Sequence, residues 1–282
     1  MIVKFEKIGL IAGKGIYPEL LLRGARAANV KSVAIAAFHG ETSEALVGRA
    51  DAHEWVRVGQ LGKMIKFFKK QGVRHAVMAG QITPGNLFDL RPDMRTLMML
   101  GKLKQRNAES IFGAIGDELA KDGIELLDAT TFMEDALVKE GAVFGPALSE
   151  RQLGDAAYAI EIAKQTSKLD IGQTVIVRHG TVLAVEAFEG TNECIRRGGG
   201  LGKGQALLAK VSKPNQDFRF DVPVIGPDTV RVAGEAGVKA LVLEAGRTLI
   251  LDWDAVRDGC ERHGVSVHGV ATDATPERYR KG

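Results

Sequence analysis

Cysteine is nearly absent from this chain, with Cys194 and Cys260 the two in 282 residues. Two isolated thiols without paired spacing exclude a disulfide framework and a thiolate zinc site, and they suit a reducing cytosol. The six histidines show no metal-ligand spacing, and no serine stands in a nucleophile elbow. Long apolar runs are missing too, since no stretch approaches the ~20 residues that a transmembrane helix needs. The opening MIVKFEKIGLIAG is broken by charge and carries neither a signal-peptide apolar region nor a small-residue cleavage site. Together these absences lead us to expect a cytoplasmic protein, with any membrane contact peripheral. The net charge of +3 is too weak to argue for nucleic acid, though it is compatible with an anionic substrate or membrane surface. With 45% hydrophobic and 26% charged residues, the chain has material for a sizeable core. Its length is comfortable for two domains.

Short apolar runs alternate with amphipathic segments through the first half. Lys7–Ala12, Ser32–Phe38, His53–Val58, Arg74–Ala79 and Ile124–Asp128 read as strands, and Tyr17–Asn29, Leu61–Gln71 and Ser110–Asp122 as helices. That alternation predicts a parallel sheet covered by helices. Phe132–Ser149 holds Gly141, Gly145 and Pro146 and breaks the rhythm. The expected organisation is therefore a Rossmann-like α/β domain over 1–133, a linker over 134–148 and a mixed α/β domain over 149–282. In the second domain a long helix is expected over Glu150–Ser167. Strands follow at Thr174–Arg178, Thr181–Phe188, Ala206–Lys210, Asp217–Val224, Ala240–Leu243 and Thr248–Asp252. Further helices are expected at Thr229–Ala236 and Asp254–His263. The glycine-rich Gly198–Gly204 is expected to be a mobile loop.

Several motifs bear on chemistry. Gly9, Gly13 and Gly15 lie at the first strand–helix junction, where backbone N–H groups and a helix N-terminus suit phosphate. The spacing fits neither Walker A nor a dinucleotide fingerprint, and Phe38 and His39 stand where an acidic ribose ligand would be expected. A plain tight turn explains the glycines equally well. In KPNQDFRFDVPVIG, Lys213–Gly226, an extended Asp217–Val222 would place Asp217, Arg219 and Asp221 on one face and Phe218, Phe220 and Val222 on the other. Two carboxylates around a guanidinium suit Mg²⁺ or Mn²⁺ completed by substrate phosphate, with Lys210 and Lys213 just upstream to meet phosphate charge. An ion-paired solvated face explains the same pattern. Glu186 lies inside an expected strand, where it either faces a ligand or pairs with a neighbouring arginine, and Glu189 and Thr191 mark the strand end. Gln81, after Gly80, and Gln173, in DIGQ, are amides able to bond uracil, ribose or sugar. Leu90–Ile111 sets Leu97, Met98, Met99, Leu100 and Leu103 among Arg91, Arg95, Lys102, Lys104 and Arg106. This segment reads either as an ordinary helix packed on the sheet or as an interfacial one.

The segments GLIAGKGIYP, LDIGQTVIV, VLAVEAFEGT and KPNQDFRFDVPVIG resemble the LpxI-type UDP-2,3-diacylglucosamine pyrophosphatases of the lipid A pathway. The similarity runs in order over nearly the whole chain. It implies a Rossmann-like N-terminal domain and a distinct C-terminal domain closing on substrate. It also implies divalent-metal-dependent hydrolysis of UDP-2,3-diacylglucosamine to UMP and 2,3-diacylglucosamine 1-phosphate. The family's essential aspartate, in R-x-D-x-P, corresponds to Asp221, and its acidic neighbour to Asp217. Asp221 with Asp217 or Glu189 would hold Mg²⁺ or Mn²⁺, and Arg219, Lys210 or Lys213 would meet the remaining phosphate oxygens. Gly13, Gly15, Gln81, Gln173 and Thr191 would contact the rest of the lipid-linked UDP-sugar. The chain departs from the family's usual EGTD by reading Glu189-Gly190-Thr191-Asn192, so no metal role passes to Asn192. A nicotinamide-dependent oxidoreductase and a non-catalytic nucleotide- or lipid-binding module remain as alternatives.

Overall fold

The computed structural model describes residues 5–82, 92–105 and 107–280. The chain forms two compact units, one of residues 1–134 with 217–221, the other of 135–216 with 222–282.

The first unit is built on five strands, β1 (Lys7–Ala12), β2 (Ser32–Phe38), β3 (Ala52–Val56), β4 (His75–Ala79) and β5 (Glu125–Leu126). They lie in the order β3-β2-β1-β4-β5, every neighbouring pair parallel. Such a sheet is covered on both faces, so its strands can be continuous apolar runs, as SVAIAAF is. Helices α1 (Tyr17–Ala27), α2 (Glu44–Val47), α3 (Leu61–Lys70), α4 (Met94–Lys102) and α5 (Ala108–Lys121) complete the unit. The last two start at side-chain caps: Asp93 accepts the Thr96 N–H and Asn107 the Ser110 N–H. The chain order reverses direction between β1 and β4. In open α/β sheets the carboxyl ends of strands at such a switch point are the usual ligand position.

The second unit carries a six-stranded mixed sheet in the order β6-β13-β11-β9-β7-β8. Its strands are β6 (Gly141–Phe144), β7 (Thr174–Arg178), β8 (Thr181–Val185), β9 (Ala206–Lys210), β11 (Val238–Glu244) and β13 (Ser266–Val270). The central β9, β11 and β13 are parallel, while β6 and β7 run against their neighbours. A separate parallel pair joins β10 (Val224–Ile225) to β12 (Leu249–Ile250). Side-chain alternation divides the interior in two. Ala206, Leu208, Leu241 and Leu243 face a core with residues of α7 (Thr191–Gly202), α8 (Pro227–Ala236) and α9 (Trp253–His263). Leu207, Ala209, Ala240 and Val242 face α6 (Glu150–Lys168). Ser149 and Gln152 close a capping box at the start of α6.

The structure departs from expectation at four places. Gly198–Gly202 is the end of helix α7 and not a loop. A Cβ on Gly198 would come 2.6 Å from Ile176, and one on Gly199 2.5 Å from the Ala236 carbonyl, so these glycines permit close approach to the sheet and to α8. Strand β8 stops at Val185, leaving Glu186 just beyond it. Asp217–Val222 is not extended: the Asp221 and Phe220 N–H groups both donate to the Asp217 carbonyl, at 3.0 and 3.3 Å, closing one helix-like turn. The segment read as a linker contains β6, which pairs with β13. Of the segment 90–111, Leu90, Arg91 and Arg106 lie outside the described residues.

Candidate active site

Each unit gathers one group of charged and polar side chains at the carboxyl edge of its sheet.

In the first unit the group forms around the Asp217–Asp221 turn. Arg219 grips its neighbour: Nε donates to Asp217 Oδ1 at 2.9 Å and Nη2 to Oδ2 at 2.7 Å, while the Arg219 backbone N–H donates to Oδ1 at 3.1 Å. The turn therefore uses an alternation the sequence places on one face, but through a tight local fork in place of a strand. The side-chain bonds from Arg219 hold the Asp217 carboxyl below the usual aspartate range, so it is ionised at neutral pH. Asp128, just past β5, moves the other way, because burial raises it and the Asp217 charge raises it further. Arg219 also feels Asp117 and Asp128. Asp128 and Asp117 carry no sequence motif, and topology alone brings them to the turn.

At the switch point of the same sheet the Gly13 N–H donates to Ala79 O at 2.8 Å. Lys14 and Gln81 exchange backbone bonds of 2.7 and 3.1 Å. A Cβ on Gly13 would fall 2.5 Å from the Gln81 carbonyl, so glycine there serves contact between the β1 and β4 loops. The Gly13 and Lys14 amides are thus spent on the protein itself. Gly15, at φ +94°, has open space around it.

In the second unit, strands β9, β11 and β13 end at Lys210, Glu244 and Val270. Lys210 is 8% exposed. Its Nζ donates to Thr191 Oγ1 at 2.9 Å and Thr174 Oγ1 at 3.3 Å, and lies 3.9 Å from Glu186 Oε2. Thr191 opens α7 and donates to Glu186 Oε1 at 2.7 Å. Glu186 is therefore held by a threonine and a lysine, not by an arginine. Its Oε2, Gln173 Oε1 and Gln216 Nε2 are buried without a hydrogen-bond partner in the protein. A Cβ on Gly172 would overlap the Glu186 carbonyl at 2.0 Å, so the Asp170–Gln173 turn can lie directly on the Glu186 backbone. Glu189 sits at the next turn, where it accepts Arg197 Nη2 at 2.6 Å and the Ala187 N–H at 3.1 Å. Lys213 pairs with Asp170.

Beside this lies a network that sequence reading missed. Glu244 is wholly buried. It accepts Lys164 Nζ at 2.6 Å, the Ser212 N–H and Oγ at 2.7 Å each, and Thr272 Oγ1 at 2.5 Å. Burial would raise its carboxyl, but these bonds outweigh that and hold it below the usual range. The available signal was a charged residue closing the apolar run Ala240–Leu243 of β11. Asn192 donates to Asp228 at 2.7 Å, a bond that an aspartate at that position could not make.

The expected metal trio divides between units, with Asp217 and Asp221 in the first and Glu189 in the second, where Arg197 holds it. Among the described residues no three His, Cys, Asp or Glu side chains form a ready metal cage. The first unit does offer Asp221 one turn from Asp217, whose charge reaches Asp128. One or two carboxylates completed by substrate phosphate is the usual magnesium arrangement, and Asp217 with Asp221 supplies that number of carboxylates, although Arg219 takes both Asp217 oxygens.

The C-terminal domain model of the LpxI family matches residues 139–268, and the N-terminal domain model matches residues 7–136. A curated protein of Caulobacter vibrioides, UDP-2,3-diacylglucosamine pyrophosphatase LpxI, is 32% identical over 282 aligned residues, covering 96% of this chain and 100% of that protein. A solved structure of CobK precorrin-6A reductase covers 98% of this chain and 92% of its own at 13% identity. Its TM-score of 0.28 is too low to bear on the fold.

Proposed function

This chain belongs to the LpxI family, and from that premise we propose that it hydrolyses the pyrophosphate bond of UDP-2,3-diacylglucosamine to UMP and 2,3-diacylglucosamine 1-phosphate. The reach of the similarity carries the reading, because the relative whose name states this activity aligns along 96% of the chain.

The chemistry of both groups supports it. In the second unit the buried Lys210 ammonium sits against the first residue of α7, so a cation and a helix N-terminus would meet a phosphate together. The unpartnered amide atoms of Gln173 and Gln216 suit a uracil, ribose or sugar. In the first unit Asp221 and Asp217 would hold Mg²⁺ or Mn²⁺. Such a cation, when bound, neutralises pyrophosphate charge and acidifies the attacking water. Arg219 keeps Asp217 ionised and fixes its orientation, and its fork on both oxygens leaves Asp221 as the carboxylate to take the cation first. Leu169, Ile171 and Phe188 are exposed on the loops beside Gln173 and Glu186, where apolar chains would lie. On α4, Met94, Leu97 and Met98 are exposed at helical spacing, with exposed Lys102 and Lys104 following. That face suits peripheral contact with an anionic membrane. No helix among the described residues is long and apolar enough to cross one.

The test is UMP release by the purified protein, followed by thin-layer chromatography, from UDP-2,3-diacylglucosamine against UDP-N-acetylglucosamine. Selective turnover of the lipid substrate is expected, and equal turnover of both refutes the lipid reading. Activity that survives thorough chelation argues against the metal. Unchanged release from Asp221→Ala removes that residue from the mechanism.

A further inference from the structure

Asp221, assigned to the metal, lies in sequence between β9 and β11 of the second sheet, yet its turn packs with the first unit. Three independent contacts hold it there. The Phe218 carbonyl accepts the Ala129 N–H at 2.7 Å. The Ala129 carbonyl, in the next peptide group, accepts the half-buried Tyr17 hydroxyl at 2.5 Å, so residue 129 is anchored to α1 on one side and to the turn on the other. Phe220 stacks on Phe112 of α5, with ring centroids 5.6 Å apart and planes at 29°, and joins the apolar cluster beneath. The Arg219 guanidinium lies across Gly116, one helical turn along α5, where a Cβ would come 3.0 Å from Nη1. Asp221 is attached to this assembly by its own N–H, which donates to Asp217 O at 3.0 Å.

We propose that Tyr17, Phe112 and Gly116 are positioning residues for Asp221, fixing the turn that carries it to the carboxyl edge of the first sheet. None of the three needs to touch substrate. Their effect passes through Phe218, Phe220 and Arg219 to the aspartate. A carboxylate displaced by about 1 Å loses a large part of its catalytic value even when binding is intact. The signature of a positioning role is therefore a fall in kcat at nearly constant KM. This rests on the catalytic reading of Asp221 given above, and the two are separable by experiment.

The experiment compares full-length Phe112→Ala, Phe112→Tyr, Tyr17→Phe and Asp221→Ala with the parent. It measures UMP release from UDP-2,3-diacylglucosamine, melting temperature, and hydrogen–deuterium exchange of the peptide spanning 217–221. Phe112→Ala is expected to speed exchange at Phe220 and Asp221 and to lower kcat about tenfold or more, with KM little changed. Phe112→Tyr keeps the ring and should restore both readouts. Tyr17→Phe loses only the hydroxyl and should give the same pattern more weakly, which keeps the test alive if Phe112→Ala does not fold. Unchanged exchange in both Phe112→Ala and Tyr17→Phe overturns the docking. Faster exchange with undiminished kcat, while Asp221→Ala is inactive, overturns the positioning role. If Asp221→Ala itself retains full activity, the catalytic reading fails, and the exchange data still decide whether these residues hold the turn.

Discussion

The two charged groups are built on opposite terms. In the second unit Glu244 is wholly buried and takes bonds from Lys164, Ser212 and Thr272. In the first unit Asp217 and Arg219 grip each other two residues apart, with side chains 26% and 35% exposed. A buried carboxylate must be satisfied completely, because each lost partner leaves charge in a poorly polarisable interior. A partly exposed fork is screened by water and contributes little stability. The strand-end network can therefore serve as a rigid frame, whereas the turn depends on aromatic packing and backbone bonds for its place.

This contrast can be broken at its strong end first. Glu244→Ala removes the counter-charge of Lys164, which keeps only its bonds to Ser212, and should cost about 3 kcal/mol of stability, read as a shift in the urea midpoint. A loss near zero would mean that the network is dispensable. Next, Gly199→Ala places a methyl against the Ala236 carbonyl and should cost about 1–3 kcal/mol. If Gly199→Ala melts with the parent, the α7–α8 contact is looser than described. Acid gives a smaller, graded effect. Because the folded Glu244 carboxyl lies below its ordinary value of 4.5, its stabilising contribution is complete above that value and is lost as pH falls through the depressed folded value. Melting temperature against pH should therefore fall less steeply in Glu244→Gln than in the parent below about pH 4.5. Parallel curves would remove Glu244 as the cause. At the weak end, Arg219→Ala should change stability by about 1 kcal/mol or less while still impairing UMP release. A large loss of stability there would erase the distinction between the two groups.

Regular elements were readable where local pattern and packing agree. SVAIAAF and ALLAK are strands with the bounds their apolar runs imply, because both faces of each are buried. The Asp217–Val222 pattern misled for a physical reason. Alternating charges and aromatics fit a strand, but Asp217 accepts its own downstream N–H groups and Phe220 finds a ring on α5, and both favour a turn. The Gly198–Gly202 run misled likewise. Glycine composition argues for a loop in isolation, yet the same absence of side chains admits a helix pressed on Ile176 and Ala236. Lys210 was singled out for standing upstream of the Asp217 motif and Thr191 for an expected strand end, and the structure joins the two at 2.9 Å. Asp128, Lys164, Ser212 and Gln216 were not, since none stands in a pattern of its own.

The chain's own order of residues determined the α/β class, most of the strands and helices and the family, since these follow from local periodicity and from motifs contiguous in the chain. Tertiary structure decided which side chains meet. Lys164 reaches Glu244 across 80 positions, and Tyr17 reaches Ala129 across 112. Contacts at such separations depend on strand order and on burial that demands partners. The turn at Asp217–Asp221 shows the consequence, because its bonds are local while its location is set by Phe112 and Ala129 of the first unit.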